Sequence, residues 1–210
     1  MVLLESPVIG KTYKNLNAAS LASYRGHVMA GNADFPGNAC DDALFCEYAG
    51  IMREGNLTYA GLLAFGDFPL IHRYVGNFWI QYTETDSYGR TFRLGSHKNI
   101  WDSYMSIMGR LSIHPEWGLP MRWAFLRREV VRALSSTDYF SPMHPVFRVD
   151  DRYLVIRYPG CWSAGFSRWS AVDTFFLHCG LSGNMGAGRD IFHLVRETNP
   201  LFTKITISLP

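Results

Sequence analysis

Charge is scarce in this sequence. Lys, Arg, Asp and Glu make up 18% of its 210 residues, against about 25% in an ordinary soluble domain. Much of the surface must therefore be uncharged, and surfaces of that kind are often covered by a partner. No basic run occurs and the net charge is only +2. Nucleic-acid binders carry a basic stripe, so no nucleic-acid partner is expected. There is no uninterrupted apolar stretch of about 18 residues, so no membrane span is expected. The opening "MVLLESPVIGKTY" lacks a basic n-region, and no signal peptide is expected.

The four cysteines, Cys40, Cys46, Cys161 and Cys179, form no C-x-x-C pair. Cys40 and Cys46 are roughly 600° apart around a helix and face different ways. Zinc is disfavoured, and reduced, mostly buried thiols in a cytoplasmic protein are the expectation, with a Cys161–Cys179 bridge as the alternative. The seven histidines show no H-x-x-x-H or H-E-x-x-H spacing, which removes the usual helical metal site. Neither G-x-S-x-G nor a phosphate loop nor a dinucleotide fingerprint is found. No metal and no cofactor are expected.

Aromatic residues, in contrast, are plentiful at 15%. Flat rings with polar tips suit sugar faces and protein interfaces as well as a large core. The first 35 residues have weak periodicity and read as an irregular arm with a short helix near "LNAASLASY". "GNACDDALFCEYAGIMREG" reads as a helix with the stripe Leu44, Phe45, Tyr48, Ile51 and Met52, capped by Asn38 or Asp41 and stopped at Gly55. A short helix follows over residues 58–65. Residues 77–94 read as a hairpin. Ser96 caps the next helix, whose stripe is Ile100, Trp101, Tyr104, Met105, Met108 and Leu111, and Pro115 closes it. Pro120 opens another, with Arg127, Arg128 and Arg132 on a charged face that is either solvated or an anion site. A second hairpin turns at Asp150-Asp151, and "LFTKITISLP" alternates as a terminal strand, paired within the chain or with a neighbour. The expected fold is mainly α with minor β: one compact domain, 1–210, of four or five helices, two β-hairpins and a C-terminal strand.

The stretch "GCWSAGFSRWSAVDTFFLHC" (160–179) concentrates the chemistry. Ser167 can cap a helix over residues 168–179, with Gly180 as its stop. Trp162, Arg168, Trp169 and His178 are candidate binding residues, and Asp173 stands close to Arg168. The alternative is plain packing, with the rings in the core and Asp173 held by Arg168 or a backbone donor. Asp41, Asp42 and Glu47 supply further carboxylates, and acids at a helix start are also explained by the macrodipole. "GLSGNMGAGRD" reads as a loop.

"DDALFCEYAG" together with "CWSAGFSRWSAVDTFFLHCGLSG" resembles a group of phage- and bacterium-encoded proteins of α/α-toroid type, akin to carbohydrate-active helical barrels. Members tend to carry Ser-Arg-Asp at the start of the late helix. Ser167 and Arg168 match, and Trp169 replaces the acid. The resemblance covers two short motifs, and a full toroid needs more helices than this chain supplies. It implies a small relative that binds rather than cuts. Two functions follow. One is a structural or interaction protein of a larger assembly, such as a phage virion or tail component, which binds other protein subunits or a glycan as a homo- or hetero-oligomer. The other is a small glycan-active hydrolase or lyase with Asp42 and Asp173 as paired carboxylates. The first places the chain in a virion if it is phage-encoded, and otherwise in the cytoplasm.

Overall fold

The computed structural model describes residues 4–95, 97–114, 117, 120–150, 152–159, 171–181 and 193–208. Within them the α-helices are α1 (Ala18–Gly31), α2 (Asp42–Tyr48), α3 (Tyr59–Phe65), α4 (Phe68–Tyr74), α5 (Ile100–Ser112), α6 (Pro120–Ser136) and α7 (Ala171–His178). The strands are β1 (Pro7–Val8), β2 (Met52–Arg53), β3 (Asn56–Thr58), β4 (Gln81–Thr85), β5 (Thr91–Arg93), β6 (Val146–Val149), β7 (Tyr153–Pro159), β8 (His193–Thr198) and β9 (Phe202–Ser208). They make a three-stranded sheet, β1-β3-β2, and a six-stranded sheet, β5-β4-β6-β7-β9-β8.

The mainly-α expectation is overturned: this is an α/β fold built on a mixed six-stranded sheet. The two hairpins do not decorate a helical bundle. They join through a parallel pairing of β4 with β6, and β9 lies between β7 and β8. The terminal strand thus finds its backbone partners inside the chain on both sides. The first helix is also longer than expected. Asn17 caps it through its side chain, which accepts from the Ser20 N–H at 3.0 Å.

The "GNACDDALFCEYAGIMREG" helix is shorter than its stripe implied. The Asp41 side chain caps α2 by accepting the Leu44 N–H at 2.9 Å. The chain leaves the helix at Gly50, whose φ is +74°. Glu54 and Gly55 follow with φ of 52° and 76°, and a pair of left-handed residues makes the tight turn between β2 and β3. Ile51 and Met52 are buried, as a stripe would have them, but Leu44 and Tyr48 are more than half exposed. Asn99, not Ser96, caps α5, accepting the Asp102 N–H at 2.8 Å. Ser96 and Pro115 lie outside the described residues.

Sheet register sorts the side chains onto two faces, because alternate residues of a strand point opposite ways. One row across the inner face is Tyr82, Phe147, Ile156, Ile205 and Arg196. The first four are at most 1% exposed. α6 packs over β7 on this side. Arg110 of α5 reaches Glu84 of β4, with Nη2 to Oε2 at 2.8 Å. A row on the opposite face crosses all six strands: Arg93, Thr83, Arg148, Val155, Thr206 and Val195. None of these is buried.

Beyond the sheet, α1, α3, α5 and α7 close on a nest of rings. Tyr24 lies 4.7 Å from Phe65 and 5.2 Å from Trp101, and Phe176 lies 4.9 Å from Tyr104. Close approach requires glycine at Gly61 of α3: a β-carbon there would stand 2.3 Å from the Ile51 carbonyl oxygen. Alanine is the better helix former by about 1 kcal/mol, but the obstacle is backbone and cannot swing aside. Gly61→Ala is therefore expected to lower stability by about 2 kcal/mol in urea unfolding, the usual scale of overpacking. A gain in stability would contradict this packing.

Candidate functional site

Of the candidate catalytic and binding residues singled out from the sequence, the described ones are Asp42, Asp173 and His178. Asp42, at the start of α2, forms an ion pair with Arg25 of α1 at 2.6 Å. Arg25 also donates to the carbonyls of Asn38 and Cys40. The pair borders an open groove of about 400 Å³ that Tyr13, Lys14, Ala22 and Met29 help to line. Asp173, in the first turn of α7, is half-buried. Burial pushes its carboxyl up, and Ser135 and Arg132 of α6 act in the other direction. The two carboxylates share no partner among the described residues. His178, in the last turn of α7, packs on Phe35 with ring centroids 4.9 Å apart. Its Nδ1 lies 3.1 Å from the Tyr24 hydroxyl. Burial lowers the histidine and raises the tyrosine well above its ordinary value, so a neutral ring and a neutral hydroxyl share this hydrogen bond. Trp162, Arg168 and Trp169 lie outside the described residues, as do the glycine-rich stretch 182–190 and the proximity of Arg168 to Asp173. Gly180, with φ of +65°, ends α7.

Cys46 and Cys179 are buried, and burial pushes both thiols up to about 12. A thiol that holds its proton so firmly is a poor nucleophile and a poor metal ligand. Among the described residues no cluster of three or more His, Cys, Asp or Glu is arranged to hold a metal ion.

Sequence reasoning missed two polar centres. Glu129 of α6 is 1% exposed. Its carboxylate receives Arg128 Nε at 3.4 Å, Arg132 Nη1 at 3.2 Å and Arg196 Nη2 at 3.2 Å. The arginine spacing predicts a charged face, and the acid among the arginines is buried. Arg196 comes from an edge strand 67 residues away, so no local pattern announces the contact. The second centre is Glu84, which Arg110 grips through two nitrogens at 2.8 and 3.0 Å. Tyr82 donates to it at 3.2 Å and His114 stands 3.1 Å away. Both centres tie helices to the inner face of the sheet.

A third group faces outward and is made of rings. Phe68, the first residue of α4, stacks on His72, with centroids 5.5 Å apart and planes 18° apart. His97 meets Phe68 edge-on at 4.6 Å and Trp79 at 5.6 Å. Trp79 continues to His144 at 6.4 Å. His144 Nε2 lies 3.4 Å from Gln81 Oε1. Burial lowers His144, and the Arg157 guanidinium lowers it further, so this ring is neutral near pH 7 and stands beside the outer face of the sheet. His72 and His97 are exposed, while Phe68, Trp79 and His144 are half-buried. Such a surface offers apolar planes with hydrogen-bonding edges. Four separate segments contribute to it, which hides it from a linear reading.

Residues 5–81 match a domain of unknown function, DUF8451. That stretch holds the three-stranded sheet, α1 to α4, Phe68, His72 and Trp79, and ends at the first residue of β4. No curated protein matches the chain. Among solved structures, the chain resembles the DIP2311 protein from Corynebacterium diphtheriae with a TM-score of 0.71 at 18% identity. The likeness covers 98% of this chain and 46% of that one, so the chain spans less than half the length of the protein it resembles. At this identity the likeness extends to the fold alone.

Proposed function

We propose that this chain is a binding module of a larger assembly, which engages its partner through a ring-bearing surface and does not cleave glycans. The observation that carries the reading is the run of rings Phe68–His97–Trp79–His144, in which each ring meets the next and none is buried. Against cleavage stands the engagement of the two candidate acids. Glycoside hydrolysis needs two carboxyls flanking one bond, about 5–9.5 Å apart. Asp42 is tied to Arg25, and Asp173 is set against α6.

The purified chain is expected to release no reducing ends from a polysaccharide panel. Tested against immobilised glycans, peptides and oligonucleotides, it is expected to bind one class in a manner that Trp79→Ala weakens by about tenfold, the worth of one good ring contact. Reducing ends that vanish with Asp42→Asn or Asp173→Asn would overturn this reading. So would binding indifferent to Trp79→Ala.

A further inference from the structure

The outer face of the six-stranded sheet gathers charge of one sign. Register places Arg93, Arg148 and Arg157 on it, with Lys204 directly opposite Arg157 on the next strand. The three arginines are exposed and Lys204 is half-buried. Among the described residues, the one carboxylate on the outer-face rows of the sheet is Glu197 of β8, which Lys204 holds at 3.0 Å. Asp150, at the rim, is engaged in its own turn, where its Oδ1 accepts the N–H groups of Arg152 and Tyr153. Among the described residues, four cations thus stand against one acid on a single face of the sheet, in a chain of net charge +2. The cations sit on four strands, at strand spacings of about 5–10 Å, and none is adjacent to another in sequence.

Rings are interleaved with these cations. Phe202 lies on the same face, with the Arg157 guanidinium 5.8 Å from its centroid. Tyr153 is 45% exposed and shares the parity of Val155 and Arg157 along β7. His144, which touches Trp79, lies 3.4 Å from Gln81 through its Nε2, and Gln81 shares an outer-face row with Val146 and Arg157. The ring surface and the basic face therefore adjoin. Thr83, Thr206, Ser208 and Gln81 add uncharged hydrogen-bonding groups to it.

We infer that this face binds single-stranded nucleic acid. The inference rests on the reading above that the chain binds through its ring surface, and it names the class of ligand. The charge pattern asks for a polyanion, and the rings ask for one with flat π-faces. An unpaired strand offers both, with phosphates for the arginines and lysine and bases to stack on the rings. A duplex keeps its base faces hidden in the stack. An acidic peptide would satisfy the charges and bring no flat faces to the rings, and a sulfated glycan would meet the rings through C–H faces and not through π-faces.

The test is fluorescence anisotropy of the whole chain with a labelled oligothymidylate of about 20 nucleotides, longer than the 4–16 that one such platform covers, across a salt series. Four phosphate contacts predict that log K falls against log salt with a slope of about −3, and that Arg148→Ala/Arg157→Ala halves that slope. Both residues are exposed, so the variant keeps the core, which circular dichroism checks. Trp79→Ala and Phe202→Ala are each expected to weaken binding by about tenfold, within the range for loss of one stacked base. An abasic strand of equal length is expected to bind more weakly and to ignore both ring variants. The inference is overturned if the oligonucleotide does not bind at low salt, or if it binds unaltered by the arginine substitutions. It is also overturned if heparin, polyglutamate or the abasic strand competes as well as oligothymidylate while the ring variants change nothing. Trp79-dependent binding of another class, without oligonucleotide binding, would sink this inference and leave the binding-module reading standing.

Discussion

Trp101→Ala is expected to lower stability by about 4 kcal/mol, within the range for truncating a fully packed Trp or Phe. Trp101 is 1% exposed and is the ring on which the helical layer converges. Tyr24 comes to it from α1 at 5.2 Å, Phe65 from α3 at 6.4 Å, and Phe176 from α7 at 6.0 Å. Tyr104 follows one turn later on α5 at 5.9 Å. Its indole N–H donates to the Ser23 hydroxyl at 3.2 Å. These neighbours belong to four helices that also grip one another, so they cannot move in to fill the void. A loss below about 1.5 kcal/mol in urea unfolding, the scale of a mild core change, would mean that the rings do not form this nest.

Glu129→Ala is expected to cost about 3 kcal/mol, the low end of what removing one partner from a buried ion cluster costs. The carboxylate lies between three guanidiniums, and its removal takes away the acid they share at the joint of α6 and β8. The arginine side chains are 20–32% exposed, so water takes up part of their mutual repulsion, which is why the low end is chosen. Added salt should recover some of the loss by screening. Glu129→Gln keeps the shape and one acceptor and is expected to lie in between. A change under about 0.5 kcal/mol, ordinary for a surface site, would contradict the burial of this cluster.

Local chemistry was legible in the sequence and long-range pairing was not. Both hairpins and the terminal strand appear in the alternation of residues 81–93, 146–158 and 202–208, because period-two patterning is a property of each strand alone. The α5 stripe is equally plain: Ile100, Trp101, Tyr104, Met108 and Leu111 are buried, and Met105 is half-buried. The architecture depends instead on β4 lying beside β6, a pairing that spans two intervening helices and leaves no local mark. β8 was missed because it is an edge strand whose outward residues, His193, Val195 and Glu197, are exposed, so it lacks a continuous apolar signal. The α2 reading ran too far because Ile51 and Met52 fit both a helical stripe and a buried strand start, and the left-handed pair Glu54-Gly55 decides for the hairpin. The expectation that no nucleic acid binds followed from the lack of a basic run. A sheet can assemble a basic surface without one, since neighbours across strands are far apart in sequence.

The most direct test of the account is a residue-resolved titration of the isotope-labelled chain with oligothymidylate, followed through backbone amide and tryptophan indole resonances. The account predicts perturbations at Arg93, Arg148, Arg157, Phe202 and the Trp79 indole, with α1 and the Arg25–Asp42 groove unchanged. Perturbations confined to that groove or to the helical layer, or none at all, would contradict it.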